Sequence, residues 1–423
     1  MAEGTFLNEE FLRQLTAVGE VDLLVGIVTF NDAKTIQHVI HAVQIGLVKY
    51  FPRQRTVLIN PDGGSRDGTP EVVKSSTIPD FRTVLATAPL RTMHTVTAKY
   101  RAGMGTGEAV RLIFAAADLL RAKACAIISS DLLSITPEWV DALLRPVYRE
   151  GFDFLTPIYE RHKFDALLIK NILSPVIRGA YGCEIREPVG GEFGFSGALA
   201  CQFLAQDVWH EEFVQYGWPL WMTTMALSGG YRLCQSFLGP KIHSEKGAGE
   251  SLPATIQRIV GALFRSMEIH ESFWVVRTGL KTAPTFGFQA ELDLAAVRVN
   301  RKRMFQMFRS GVEELSSILE QILSTPTAQG IREIANDTDA GFRFPDELWV
   351  KTIYEFAAAY HHSVINRDHL LQALTPVYRG RVGAYLLENH GASVSELTER
   401  LNSLNVEFER LKPYLIECWR AKT

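Results

Sequence analysis

Arg55-Thr56-Val57-Leu58-Ile59-Asn60-Pro61-Asp62-Gly63-Gly64-Ser65-Arg66-Asp67-Gly68-Thr69 decides the fold. An apolar, β-branched run of the kind buried in a parallel sheet ends on a carboxylate, two glycines and a second Asp-Gly turn. A second stretch repeats the pattern. Ala124-Cys125-Ala126-Ile127-Ile128-Ser129-Ser130-Asp131 ends a buried strand on one carboxylate, and Thr136-Pro137 then give the N-cap and first-turn signals of a helix. Two strands that each bring a carboxylate to their C-terminal end predict a nucleotide-binding α/β crevice.

Strand and helix alternate on either side. Residues 22–30 read as a central strand, apolar on both faces, followed by a helix carrying Ile36, Val39, Ile40, Val43 and Leu47 at helical spacing, with Asn31 or Asp32 as its cap. Thr56–Asn60 is the second strand and residues 82–87 are expected as a third. Gly107–Arg121 reads as a helix, 124–129 as a strand, 137–148 as a helix and 153–158 as a strand. This alternation predicts an α/β fold with a doubly wound, mostly parallel sheet flanked by helices. After about residue 250 the texture changes. The stretches 255–275, 302–324, 346–362, 367–390 and 394–420 favour helix, with 325–345 a loop or short irregular helix. The expected organisation is an α/β domain over 1–250 and an α-helical C-terminal region over 251–423.

The chain has 423 residues, 47% hydrophobic and 22% charged, with a net charge of −3. That balance gives no support for nonspecific attraction to nucleic acid or anionic membrane, while leaving room for local basic patches. Cysteines at 125, 183, 201, 234 and 418 form no CxxC pair, which fits free thiols in a reducing compartment. No apolar run approaches the roughly 18 residues that span a bilayer, and the N-terminus carries no basic-then-apolar signal. A cytoplasmic protein without an integral membrane segment is the expectation.

Five candidates carry chemistry. At Asp62-Gly63-Gly64 small residues let the backbone approach a flat ligand, and Asp62 can accept from a base N–H or a ribose hydroxyl; the same residues suit a tight βα turn in which Asp67 caps the helix. Asp131 can hold a divalent cation that bridges a diphosphate, or can merely flank a helix. Pro188-Val189-Gly190-Gly191-Glu192 is glycine-dense with one carboxylate, suited to orienting a sugar hydroxyl or to a structural hairpin. Arg161-His162-Lys163 can meet an anion or remain a solvated run, and His243 is a further candidate metal ligand.

Together these motifs resemble the GT-A (Rossmann-like) glycosyltransferases. More narrowly, the chain is similar to the retaining enzymes that make mannosylglycerate, glucosylglycerate and glucosyl-3-phosphoglycerate, a glycosyltransferase family 2-like group. The resemblance covers about residues 22–250. It rests on Val28-Thr29-Phe30-Asn31-Asp32, Asp62–Thr69, Gly105-Thr106-Gly107-Glu108-Ala109, Ser129-Ser130-Asp131, Pro188–Glu192, Tyr216-Gly217-Trp218-Pro219 and Lys241-Ile242-His243, all in family order. It implies a nucleoside diphosphate sugar donor held by Thr29, Asn31, Asp32, Asp62, Gly105, Thr106, Ser130, Gly190 and Gly191, with Arg161 and Lys163 meeting an anion. It implies Mg²⁺ or Mn²⁺ held by Asp131 and His243, and catalytic positions at Glu192 and Asp131. The implied reaction moves a hexosyl group with retention to a small hydroxylated acceptor such as glycerate or 3-phosphoglycerate, in a chain able to form a homodimer.

Three positions depart from the family pattern. Ser129 stands for the first Asp of Asp-x-Asp, Thr106 for the Lys of Gly-Lys-Gly, and Pro219 for an acidic residue after Tyr-Gly-hydrophobic. The expectation is a metal site weaker than usual for the family, or a catalytically reduced protein that binds nucleotide sugar as a scaffold or sensor.

Overall fold

The computed structural model describes residues 7–76, 93–100, 105–244, 251–289, 300–337 and 342–421. They form two compact units: Met1–Glu160 with Val189–Ala248 and Ala283–Glu291, and Arg161–Pro188 with Gly249–Thr282 and Leu292–Thr423. The units cross the expected cut at 250 twice. Thr285–Phe286 hydrogen-bonds to the sheet edge and so joins the first unit. Arg161–Pro188 joins the second, where the Trp349 indole N–H donates to the Asn171 carbonyl at 2.8 Å.

The first unit is built on an eight-stranded sheet. Its strands are β1 (Leu23–Val28), β2 (Thr56–Asp62), β3 (His94–Lys99), β4 (Ala124–Ser129), β5 (Phe154–Glu160), β7 (Phe193–Ser196), β8 (Leu233–Pro240) and β10 (Thr285–Phe286); β6 (Cys183–Glu184) and β9 (Lys281–Thr282) pair with each other in the second unit. The order is β10-β8-β5-β7-β4-β1-β2-β3, parallel except for β7, which runs antiparallel to β4 and β5. The expected third strand at 82–87 lies outside the described residues; the strand beside β2 is β3.

The sheet is mostly parallel because its central strands are apolar on both faces. On one side Leu23, Val25, Ile27, Leu58 and Ile128 pack with Val39 and Val43 of α1 (Ile36–Tyr50). On the other, Leu24, Val57, Ile59, Cys125 and Ile127 pack with Ile113 of α2 (Gly107–Leu119). Leu143 and Leu144 of α3 (Pro137–Tyr148) join α1 on the first side. Each such fully buried side chain stabilises by about 1.5–3 kcal/mol. Gly26 is where α2 closes on β1: a Cβ there would lie 2.4 Å from Ile113 Cδ1. Helix α3 starts as its sequence implies, with Thr136 extended at the N-cap and Pro137 first in the helix.

Helix α1 corrects one expectation. Neither Asn31 nor Asp32 caps it; Thr35 is the N-cap residue. Asn31 instead adopts φ +57 and ties the β1 end to the β2 turn, its Oδ1 accepting the Arg66 N–H at 3.0 Å.

The second unit is helical, with long helices over Leu252–Ile269, Arg301–Glu314, Asp346–His361, Arg367–Glu388 and Val394–Arg410. The stretch 325–345, expected as a loop or short irregular helix, contains an eleven-residue α-helix, Thr325–Ala335. Its start is organised by buried Glu355, which accepts from the Ser324 N–H at 2.8 Å and the Thr327 hydroxyl at 2.6 Å. That capping group lies 31 residues from Ser324, so local sequence could not reveal it. Residues 338–341 of that stretch are not described. Among the described residues no helix is long and apolar enough to cross a membrane.

Candidate functional site

Beyond the carboxyl ends of β1 and β4 lies a cleft of about 220 Å³. Its walls include Thr29, Asp32, Thr106, Ser130, Asp131 and Gly191 from the expected site. The sheet positions most of them. β1 delivers Thr29, and the turn after it delivers Asp32; β4 delivers Ser129, Ser130 and Asp131.

A hydrogen-bond chain fixes these strand ends. Asp32 is buried and accepts the Phe30 N–H at 2.9 Å and the Ser130 hydroxyl at 2.7 Å. The Ser130 carbonyl accepts the Thr35 hydroxyl at 2.9 Å. Asp32 and Ser130 thus tie β1 to β4, so their side chains set the shape of the cleft floor.

Asp62 matches the tight βα turn that its own residues suit. Its carboxylate accepts the Thr29 hydroxyl at 3.0 Å, the Gly64 and Ser65 N–H groups at 2.9 Å each, and the Ser65 hydroxyl at 2.6 Å. An ionised carboxylate offers about four acceptor sites. Asp62 therefore organises the turn. Asp67 does likewise, accepting the Ala33 N–H at 3.0 Å and the Thr69 N–H at 3.1 Å.

Glu192 is completely buried at the start of β7. Its Oε1 accepts the Ser129 hydroxyl and, at 3.3 Å, the Ser129 N–H. Its Oε2 accepts the Tyr159 hydroxyl and, at 2.6 Å, the Lys241 ammonium. Lys241 also donates to the Gly190 carbonyl at 2.6 Å. Burial pushes the Glu192 carboxyl up; Lys241 beside it, with the Ser129 and Tyr159 hydrogen bonds, outweighs that and leaves it below the usual range. The cluster accounts for Ser129, because an aspartate there would set a second carboxylate against Glu192. It accounts for the glycine at 191 too: φ is +88, and a Cβ would lie 3.2 Å from Lys241 Nζ.

Asp131 lines the cleft, and its carboxylate takes no hydrogen bond or ion pair from the described residues. His243 is brought next to it in the backbone. Leu132 bridges His243 in antiparallel fashion, the Ser244 N–H reaches the Asp131 carbonyl at 2.9 Å, and the Leu133 N–H reaches the Ile242 carbonyl at 2.8 Å. His243 is exposed and is not one of the residues lining the cleft. Among the described residues no group of three His, Cys, Asp or Glu is placed to hold a metal ion.

Arg161 and Lys163 belong to the second unit, and their charge is used there. Arg161 pairs with Glu187 at 2.7 Å and Asp165 at 3.2 Å. Lys163 Nζ donates to the carbonyls of Asn389, His390 and Ala392 at 2.9–3.2 Å, just past the end of the helix Arg367–Glu388. A cation there complements the helix dipole.

Tyr100 and Trp218 are among the cleft residues that sequence reasoning does not propose as ligand-binding. Tyr100 follows β3, and burial, then the Asp62, Asp32 and Glu108 charges, pushes its phenol up. Trp218 lines the cleft from within helix α4 (Glu212–Ser228). The signal for Tyr100 was its place after the strand 94–99; for Trp218 it was the Tyr-Gly-Trp-Pro motif, read for its missing acid.

No protein-family model matches the chain, and no curated protein does. Among solved structures it is similar to glucosyl-3-phosphoglycerate synthase from Mycobacterium tuberculosis. The complex with Mn²⁺, uridine diphosphate and glucosyl-3-phosphoglycerate is 20% identical, over 60% of this chain and 83% of that one, at a TM-score of 0.41. The complex with phosphoglyceric acid is 19% identical, over 62% and 84%, at 0.43. The complex with Mg²⁺ and uridine diphosphate is 20% identical, over 62% and 83%, at 0.42. At these scores the likeness assigns neither an activity nor a ligand to this chain.

Proposed function

We propose that this chain is a GT-A-type glycosyltransferase that moves a hexosyl group, with retention, from a nucleoside diphosphate sugar to a small hydroxylated acceptor of the glycerate or 3-phosphoglycerate kind. The observation that carries the reading is Asp131. It lies two residues past the end of the central strand β4, lines the cleft and leaves its carboxylate without a partner among the described residues. Ligands of open α/β sheets bind at that place.

The donor set fits a divalent cation only in company with a ligand. One carboxylate, with His243 as its backbone neighbour, is too few for an all-protein cage, but magnesium sites commonly use one or two carboxylates and substrate phosphates. Asp131 and His243 would hold the cation, which when bound neutralises a leaving diphosphate. The remaining residues position: Asp32 and Ser130 hold the strand ends, and the Glu192–Lys241 pair holds the Gly190–Gly191 backbone. Positioning and fixed charge are what such a transfer asks of the protein.

A second reading is favoured by one observation. Glu192 is saturated by four donors and buried, so it is not poised to act on an acceptor hydroxyl. A protein that binds a nucleotide sugar without turning it over is consistent with that.

Thermal unfolding with UDP-, GDP- and ADP-sugars, with and without Mg²⁺ or Mn²⁺, tests both. A donor present at 100 times its Kd raises stability by about 2.7 kcal/mol. The expected result is stabilisation that requires metal and vanishes in Asp131→Ala. Turnover of the stabilising donor with glycerate or 3-phosphoglycerate upholds the transferase; stabilisation without turnover across an acceptor panel upholds the binder. No stabilisation by any donor at millimolar concentration overturns both.

A further inference from the structure

Two of the residues that set this chain apart, Thr106 and Pro219, meet in one place. Pro219 lies in the interior of α4. Proline has no N–H, so the helix makes no claim on the carbonyl four residues back, that of Gln215. This carbonyl accepts the Thr106 N–H at 2.9 Å. The Gln215 side chain completes the hold, its Oε1 accepting the Glu108 N–H at 3.1 Å and its Nε2 donating to the Trp209 carbonyl. Trp218 Nε1 donates to Thr106 Oγ1 at 2.9 Å. The glycines either side of Thr106 make room: a Cβ on Gly105 would lie 2.4 Å from the Gln215 oxygen, and one on Gly107 would lie 2.8 Å from Gln215 Cα. Thr106 and Trp218 both line the cleft.

We infer that Pro219 is a positioning residue for the cleft. By withholding an N–H from α4 it leaves the Gln215 carbonyl to Thr106, and this fixes the Gly105–Glu108 turn with the Thr106 hydroxyl against the Trp218 indole. Thr106 and Pro219 are therefore one device and not two separate losses. The Thr106 and Glu108 N–H groups and the Thr106 oxygen already have partners in α4. This wall of the cleft offers a bound sugar nucleotide shape and an indole face, where a lysine at 106 would offer charge.

The structural half of the inference stands without any ligand; its bearing on sugar-nucleotide affinity rests on the function proposed above. The experiment keeps the two apart. Amide hydrogen exchange on the full chain should show Thr106 exchanging at least about tenfold faster in Pro219→Ala, the loss a single freed hydrogen bond produces. The unfolding midpoint should hold or rise, because alanine suits a helix interior better than proline. In calorimetry with UDP-glucose and Mn²⁺, Pro219→Ala and Thr106→Val should each weaken binding roughly three- to tenfold, the range spanned by one hydrogen bond. Thr106→Ser, which keeps the acceptor oxygen, should recover what Thr106→Val loses. Unchanged Thr106 exchange in Pro219→Ala overturns the inference. Faster exchange with unchanged affinity overturns the cleft role. If the native chain binds no sugar nucleotide, the functional reading has failed and the exchange result alone decides whether Pro219 positions the turn.

Discussion

The ends of β2 and β4 look alike in sequence and differ in use. Each delivers an aspartate past a buried strand. Asp62 spends its acceptor capacity on Thr29, Gly64 and Ser65, while Asp131 faces the cleft with none of it spent on described residues. The difference lies in the residues downstream of each aspartate. After Asp62 two glycines and a serine fold back onto the carboxylate, and Gly64 does so at φ +84. After Asp131 the chain runs into Leu132, which is buried and fixed by its bridge to His243, so no N–H turns back to the side chain. A carboxylate is open for binding when the local chain lacks the donors to satisfy it.

Glu192 extends the comparison to a buried carboxylate, and its partner gives the largest expected effect. Lys241→Met leaves Glu192 ionised and completely buried without its cation, and breaking such a pair costs about 3–5 kcal/mol. Urea unfolding should show that loss, and Glu192→Gln/Lys241→Met should recover most of it, since neither charge then remains. The sign of the pH dependence is set by the lowered pKa of Glu192. A carboxyl depressed by folding contributes stability above its unfolded pKa, about 4.3, and loses it as pH falls through the lower folded value. The gap in stability between the native chain and Glu192→Gln should therefore be widest at neutral pH and narrow below about pH 4. A gap independent of pH would mean that folding leaves the Glu192 pKa unshifted, and a native chain that loses ground to Glu192→Gln as pH rises above about 4.3 would mean that Glu192 is uncharged in the fold.

Asp62→Ala should cost less, about 2 kcal/mol. It removes four hydrogen bonds to a charged group, each worth up to about 1.5–3 kcal/mol, but water can reach the exposed Gly64 and half-buried Ser65 donors and recover part of the loss. The same urea measurement reads it. A cost near zero, together with weakened nucleotide binding, would move Asp62 from turn organiser to ligand contact.

The strands were legible where one period settles them. Residues 124–129 and the helix from Pro137 stand where expected, because a short apolar run and a Thr-Pro start are local signals. The fate of each polar side chain was not legible, because its partner is distant. Glu192 meets Lys241 49 residues on and Ser129 63 residues back, and Glu108 meets Gln215 across 107. Motif order locates a serine at 129 and a proline at 219; only tertiary structure shows the serine donating to a buried glutamate and the proline freeing a carbonyl. Arg161-His162-Lys163 makes the same point in reverse, a cationic run that suits an anion site or a solvated surface equally and whose Arg161 and Lys163 meet Glu187 and three carbonyls beyond a helix end.

Asp131→Ala should have the smallest effect on stability and is the sharpest test of the contrast with Asp62. Without metal or nucleotide its unfolding free energy should stay within about 0.5 kcal/mol of the native value, as for substitutions that break no packing or hydrogen bond. Any change should be toward greater stability, because Asp131 shares the cleft with the Asp32 carboxylate and removing one of two like charges relieves repulsion. That relief is weak at a half-exposed carboxylate and should fade further with added salt. If Asp131→Ala instead destabilises as much as Asp62→Ala, the aspartate at the end of β4 is a second turn organiser. The sheet would then present no carboxylate free to meet a ligand at that strand end, and the two ends would be alike in use as well as in sequence.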